Sequence, residues 1–126
     1  MALLDDYKKF LREQGKSENT IKTYSGHVNE YYRWYMDTFG EAPAMLYHTN
    51  ILDFRSYLQN IKKLKFKSID TKLSSLTSFN EFLVQIGVQK DLVITAEDRL
   101  KFQQEIASPA EIEKKDVEAF LQKVLV

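Results

Sequence analysis

Apolar residues recur along most of the chain at the spacing that places them on one face of an α-helix. The first stripe comprises Leu3, Leu4, Tyr7, Phe10 and Leu11. Charged residues occupy the positions between them, so this stripe predicts an amphipathic helix. We expect the helix to end near Gly15, because glycine adopts the left-handed backbone conformation of a helix C-terminus without steric cost.

Two further stripes predict a second and a third helix. The second begins after Ser17, whose hydroxyl can accept a hydrogen bond from a free backbone N–H, and extends to about Met36. The third has Thr49 or Asn50 as its N-cap and extends to Ile61.

A fourth stripe predicts a helix from about Ser68 to Ile86, closed by Gly87. The first two predicted helices and the last two have a similar order of motifs. In each pair, a helix that packs on the core is followed by a helix with a serine as its N-cap. We therefore predict an all-α fold in which four helices form two crossed hairpins.

The last third of the chain has a different character. Residues 88–107 show no long helical period, apart from a short helix that Thr95 could cap and that would reach Phe102. A new apolar stripe follows Pro109 and predicts one extra C-terminal helix. We expect three parts: a domain over 1–87, an interdomain linker over 88–107, and over 108–126 the start of a further domain that this chain lacks.

Composition narrows the class of protein. The chain has 126 residues, of which 44% are hydrophobic, and it contains no Cys. This content supports one folded domain and excludes a disulfide scaffold, a thiolate nucleophile and a Cys-bearing zinc site. Apolar runs are far shorter than the ~18 residues of a membrane span, and the N-terminus lacks a basic leader. We expect a cytoplasmic protein without a membrane partner, bound to the nucleoid when it is on DNA.

The formal net charge is zero, but the charge is segregated along the chain. Residues 61–76 contain five lysines and one aspartate, hence a charge of +4. The stretches 37–60 and 97–126 each carry −2. Neutrality is therefore an average, and a basic stretch of this kind is compatible with nucleic acid.

Catalytic chemistry has few candidate residues. The two histidines, His27 and His48, do not stand at metal-ligand spacing, and there is no glycine-rich phosphate loop. We predict no catalytic residue, no metal site and no cofactor, and we interpret both histidines as exposed or as hydrogen-bonded within the fold. The aromatic cluster 31–35 is compatible with a base-stacking platform, but its helical spacing favours a place in the core.

Nucleic-acid binding has better candidates. Two groups of residues with lysine, hydroxyl or amide side chains lie at the N-termini of predicted helices. Free backbone N–H groups and the helix dipole favour a phosphate there. The first group is Lys16, Ser17, Asn19, Thr20, Lys22 and Thr23. The second is Lys63, Lys65, Lys67, Ser68, Thr71, Lys72 and Ser75. The alternative is that Ser and Thr only cap helices and Lys only solvates a face, as in a helical protein-interaction module without a DNA role.

Several motifs match a known family. They are Tyr7-(x)2-Phe10-Leu11, Ser17-(x)2-Thr20-(x)3-Tyr24, Asp53-Phe54-(x)2-Tyr57-Leu58, and Ser68-(x)2-Thr71-(x)4-Leu76-(x)2-Phe79. This order resembles the N-terminal core-binding, or SAM-like, domain of tyrosine recombinases and phage integrases. In the tail, Pro109-(x)2-Ile112-(x)4-Val117-(x)2-Phe120-Leu121 is similar to the first helix of the recombinase catalytic domain.

The resemblance implies one half of a C-shaped clamp on double-stranded DNA, with the second and fourth helices facing its grooves. It also implies two protein partners, namely the missing catalytic domain of the same protein and other recombinase protomers, with the first helix as a candidate contact. The family's catalytic residues, including a His-x-x-Arg motif and a Tyr nucleophile, map to no position here. The full-length protein is thus expected to cleave and rejoin DNA for integration and recombination, and this fragment to bind it.

Overall fold

Four α-helices form the body of the protein. The computed structural model describes residues 2–101, in which α1 spans Ala2–Glu13, α2 Glu18–Phe39, α3 His48–Asn60 and α4 Phe66–Gln85. One short 3₁₀ helix, Ala96–Asp98, follows them. The prediction of an all-α fold is confirmed. The extra C-terminal helix predicted after Pro109 lies outside the described residues.

Local sequence signals set most helix ends. Gly15 has φ +79°, and the amide of Lys16 donates to the carbonyl of Leu11 at 3.1 Å, which is the six-to-one bond of a Schellman motif. Ser17 caps α2, because its Oγ accepts from the backbone N–H of Thr20 at 3.2 Å. The predicted end of α1 near Gly15 and the predicted start of α2 after Ser17 agree with this geometry.

The starts of α3 and α4 differ from prediction. The N-cap of α3 is Tyr47, without a side-chain cap bond, so the assignment of Thr49 or Asn50 was wrong. The helix starts earlier because the Ile51 amide donates to the Tyr47 carbonyl at 3.0 Å; Nε2 of His48, the first residue of α3, also lies 2.8 Å from Oδ1 of Asp98. The N-cap of α4 is Lys65, so α4 begins at Phe66 rather than Ser68.

Helix α4 lies at the centre of the core and contacts each of the other three helices. Its Phe79 ring packs edge-on against Tyr7 of α1, with ring centroids 5.0 Å apart. On the other side of the core, Tyr31 of α2 packs edge-on against Phe54 of α3 at 5.1 Å. All four rings are fully buried, so aromatic packing joins the helices in pairs.

The aromatic cluster on α2 belongs to this core. Tyr31 is fully buried, and Trp34 and Tyr35 pack against the core with part of each ring exposed. The Trp34 ring lies 5.2 Å from that of Phe54. The interpretation as core residues is confirmed, with Trp34 at the edge of the core, where it also lines the groove described below.

Residues 88–101, here called the strap, bind back onto the helices. In the first half, Asn80 Oδ1 accepts from the amides of Val93 at 2.7 Å and Ile94 at 3.3 Å. The Gln89 amide donates to the Leu46 carbonyl at 2.6 Å and accepts from the Leu46 N–H at 3.2 Å. The first half of the strap is thus bound to α4 and to the α2–α3 connection.

The second half of the strap is fastened to α3 and α4. Arg55 donates to the carbonyl of Asp98 at 2.6 Å. The Asp70 carboxylate accepts from the amides of Leu100 at 2.7 Å and Lys101 at 2.9 Å. Thr95 caps the 3₁₀ helix as predicted, but that helix ends at Asp98. None of the helices within 2–101 is both long and apolar enough to cross a bilayer.

Candidate nucleic-acid interface

A polar groove runs between α2 and α4 and is called the α2–α4 groove. Thr23 lines it from α2, Lys62 and Leu64 line it from the α3–α4 connection, and Ser68 and Thr71 line it from α4. Further along α2 its walls are Gly26, His27, Asn29, Glu30, Arg33, Trp34 and Asp37. Four of the predicted site residues, Thr23, Ser68, Thr71 and Lys72, therefore meet in one concave surface.

The charges of this groove are mixed. Its lining includes three cations, Arg33, Lys62 and Lys72, and two carboxylates, Glu30 and Asp37. The Lys72 ammonium lies 2.6 Å from a Glu30 oxygen, and its side chain is only 17% exposed. Lys72 is thus held in an internal ion pair, and its predicted role as an outward-facing phosphate ligand needs correction.

His27 contributes hydrogen bonding rather than charge. Burial lowers the pKa of His27, and the nearby Lys72 charge lowers the pKa further. The ring is therefore neutral at pH 7, and its Nδ1 lies 2.8 Å from the Ser75 hydroxyl. This agrees with the interpretation of the histidine as one satisfied within the fold.

Ser75 is the clearest correction among the predicted site residues. It has no exposed surface, and its hydroxyl also donates to the Thr71 carbonyl at 3.3 Å. Ser25 of α2 is buried too and bonds to the Ile21 carbonyl at 2.6 Å. Small side chains with internally bonded hydroxyls let α2 and α4 approach closely, so Ser75 belongs to the helix contact and is not accessible to DNA.

The residues at the N-terminus of α2 occupy several surfaces. Ser17 and Asn19 are exposed, and Thr20 is half-buried with its Oγ1 accepting from Ser17 at 3.0 Å. Lys22 is exposed on α2, one turn before Gly26. Lys16 is exposed but lines a different concavity, described below. The structure does not gather these six residues into one phosphate site.

The α3–α4 connection presents a row of exposed lysines. Lys63, Lys65 and Lys67 are all exposed, and none of them forms an ion pair with another residue of the described range 2–101. Lys63 has φ +54°, an uncommon conformation for a residue with a side chain. The Leu64 amide donates to the Leu58 carbonyl at 3.0 Å and fixes this turn against α3. Lys63 and Lys65 lie in sequence between the groove residues Lys62 and Ser68, whereas Lys67 lines a second concavity described below.

Sequence reasoning missed Lys62, Gly26 and Arg33 as groove residues. The missed signal was periodic, since Lys22, Gly26, Asn29 and Arg33 recur at helical spacing opposite the apolar stripe of α2. Gly26 leaves open space where a Cβ would stand, so the α2 backbone itself is accessible there.

A second concavity, here called the Arg99 cleft, lies on the other side of the exposed face of α4. Arg99 of the strap and Ser74 of α4 line both of its halves. One half also contains Lys16 and Glu81, and the other contains Lys67 and Lys101. No three acidic or histidine side chains within 2–101 are grouped so that they could hold a metal ion.

Comparison with known proteins agrees with this architecture. Residues 3–90 match the family described as phage integrase, N-terminal SAM-like domain. The chain is 42% identical over 125 residues to a Bacillus thuringiensis protein named "TnP I resolvase"; the alignment covers 99% of this chain and 44% of that protein. No solved structure matches significantly. The chain therefore belongs to the N-terminal SAM-like domain family of phage integrases.

Proposed function

We propose that this chain binds duplex DNA for a site-specific recombinase, with α2 and α4 facing the DNA. The family and the name of the relative support a role in recombination. The observation that carries the proposal is the α2–α4 groove, next in sequence to the exposed lysines 63, 65 and 67, which form no ion pair within residues 2–101.

The side chains along the groove suit close approach to a DNA strand. Thr23, Ser68 and Thr71 are short, so the helix backbone can come near phosphates or base edges. Lysines supply the charge that binds phosphates and releases counterions. Since the chain has only four arginines, at 12, 33, 55 and 99, bidentate recognition of guanine is scarce. Contacts to phosphates and to DNA shape dominate this interface.

The chain spans less than half the length of the relative it matches. In our proposal a catalytic domain supplies the other half of a clamp and performs the DNA cleavage and rejoining. Other recombinase protomers are the second partner, and α1 is the surface proposed to contact them. The chemistry belongs to the catalytic domain, and this chain positions the DNA.

A salt titration tests the proposal. Fluorescence anisotropy with a labelled duplex is expected to give a dissociation constant in the range of non-specific complexes, roughly 10⁻⁴ to 10⁻⁶ M. If about five lysines contact phosphates, log K falls against log salt concentration with a slope of about −4.5. Absence of binding to duplex DNA would favour the protein-interaction module instead.

A charge-matched pair of variants localises the interface. Lys65→Glu with Lys67→Glu is expected to abolish binding, since it reverses two exposed cations at the start of α4. The control, Lys9→Glu with Lys90→Glu, changes the net charge equally at two exposed positions remote from the groove. Equal loss of affinity in both double variants would show that only net charge matters and would contradict the proposed face.

A further inference from the structure

The strap adds cations to the face of α4 that the proposed function turns toward DNA. Arg99 and Lys101 line the same half of the Arg99 cleft as Lys67 and Thr71. Thr71 also lines the α2–α4 groove. The exposed face of α4 therefore has the groove with Lys62 on one side, and Lys67 with the strap cations on the other.

Arg99 is held in place without an internal partner for its charge. Its Nε atom is buried and has no hydrogen-bond partner among residues 2–101. Its guanidinium forms no ion pair with any residue of the described part of the chain, although Glu81 lines the same cleft. Because this Nε is buried, a phosphate that reaches Arg99 bonds to its Nη groups, whose charge has no ion-pair partner within residues 2–101.

Asp70 determines where these cations lie. Its two carboxylate oxygens accept separately from the backbone amides of Leu100, at 2.7 Å, and Lys101, at 2.9 Å. Because both bonds go to the backbone, the carboxylate fixes the chain without pairing with either cationic side chain. Asp98, the residue before Arg99, is itself anchored by its bonds to His48 and Arg55.

We propose that Asp70 fastens the strap so that Arg99 and Lys101 bind backbone phosphates of DNA lying on α4. This extends the proposed function, on which it rests, from the helices to the segment that follows them. Asp70 is a positioning residue here, whereas Arg99 and Lys101 make the contacts. The interface thereby includes the segment leading to the proposed catalytic domain.

Removing Asp70 gives a result whose sign is decisive. Asp70→Ala deletes a negative charge near the DNA, so electrostatics alone would strengthen binding. Our proposal expects weaker binding, because the strap cations lose their position. The control is Asp53→Ala, which deletes an exposed carboxylate on α3 and is expected to leave affinity equal or slightly higher. Tighter binding by Asp70→Ala than by the unmodified chain overturns the proposal.

A second variant leaves Asp70 intact. Each phosphate contact contributes about 0.9 to the slope of log K against log salt concentration. Between 1 M and 0.1 M salt one contact therefore strengthens binding about 8-fold, and its loss weakens binding at 0.1 M salt by about that factor. Arg99→Gln with Lys101→Gln is thus expected to lower affinity about 60-fold and the slope by about 1.8. Its control, Lys9→Gln with Lys90→Gln, removes the same charge elsewhere and is expected to have a much smaller effect.

The two proposals fail in different ways. If the unmodified chain binds no duplex, the proposed function is wrong. If it binds, and Lys65→Glu with Lys67→Glu weakens it while Arg99→Gln with Lys101→Gln matches the control, only the strap contact is wrong. Circular dichroism melting of each variant, in the full 126-residue chain, confirms that it is folded under the assay conditions.

Discussion

Asn80 is a fully buried amide that holds the strap to α4. Its Oδ1 accepts from the backbone N–H groups of Val93 and Ile94, and its Nδ2 donates to Gln89 Oε1 at 3.3 Å and to the Asp91 carbonyl at 3.2 Å. One side chain thus satisfies two backbone donors of a segment that has no regular secondary structure there. We predict that Asn80→Ala is strongly destabilising.

The magnitude follows from the groups left behind. The Ile94 amide is buried and the Val93 amide is partly buried, and each donor left without a partner costs about 1–3 kcal/mol. The exposed Asp91 carbonyl can bond to water, and Gln89 keeps its bonds to Leu46. Counting one donor fully and the other in part gives a loss of about 2–4 kcal/mol, a large share of the 5–15 kcal/mol that is typical of domains.

Urea denaturation followed by circular dichroism at 222 nm measures this loss. In thermal melts the same change corresponds to a fall in Tm of about 8–16 °C, taking about 4 °C per kcal/mol for a domain of this size. Asn60→Ala, at an exposed position at the end of α3, is the control and should stay within about 0.5 kcal/mol. A loss under 0.5 kcal/mol for Asn80→Ala would refute the reasoning that the strap is integral to the fold.

Two other predictions concern glycine and tyrosine. Gly87→Ala is expected to lower the free energy of unfolding by about 1 kcal/mol because φ is +80° there. Gly26→Ala, within α2 and with open space around it, is expected to raise the free energy of unfolding by about 0.5–1 kcal/mol. Changes of the same sign in urea denaturation would contradict this. Burial raises the pKa of Tyr32 to about 12, and those of Tyr7 and Tyr31 also rise, so the neutral form favours the fold and stability falls as the pH rises above 10. Absorbance at 295 nm should show that Tyr7, Tyr31 and Tyr32 stay neutral at pH 10 in the folded protein; their ionisation near pH 10 while the protein is folded would disprove it.

The sequence pattern was sufficient for the helices and for most of the core. Leu73, Leu76 and Phe79 follow the helical period and are all fully buried. Gly15 and Ser17 mark their helix ends because the relevant bonds are made within a few residues. Local rules work where the partners are local.

Features made by distant residues were not predictable in this way. His48 and Asp98 are 50 positions apart, and their contact lies at the first residue of α3. Ser75 is polar by type but buried, because it meets His27 across a helix contact. The strap has no period, since its bonds go to Asn80 and Asp70 rather than to its own backbone.

The same limitation applied to the candidate interface. The two groups of lysines and hydroxyls were recognisable by type, but their arrangement into a groove and a cleft depends on how α2, α4 and the strap pack. Lys72 lost its predicted role to Glu30, a partner 42 positions away. Arg99 and Lys101 entered the interface only through Asp70, in a stretch whose net charge is negative.

The central claim is that duplex DNA lies on the face formed by α2 and α4. The most direct test is a ¹⁵N-resolved NMR titration of the chain with a short duplex at low salt. The account predicts that backbone amide shifts concentrate at Thr23, Ser68 and Thr71 and disappear as salt is raised. Absence of shifts, or shifts confined to the outer faces of α1 and α3, would contradict it.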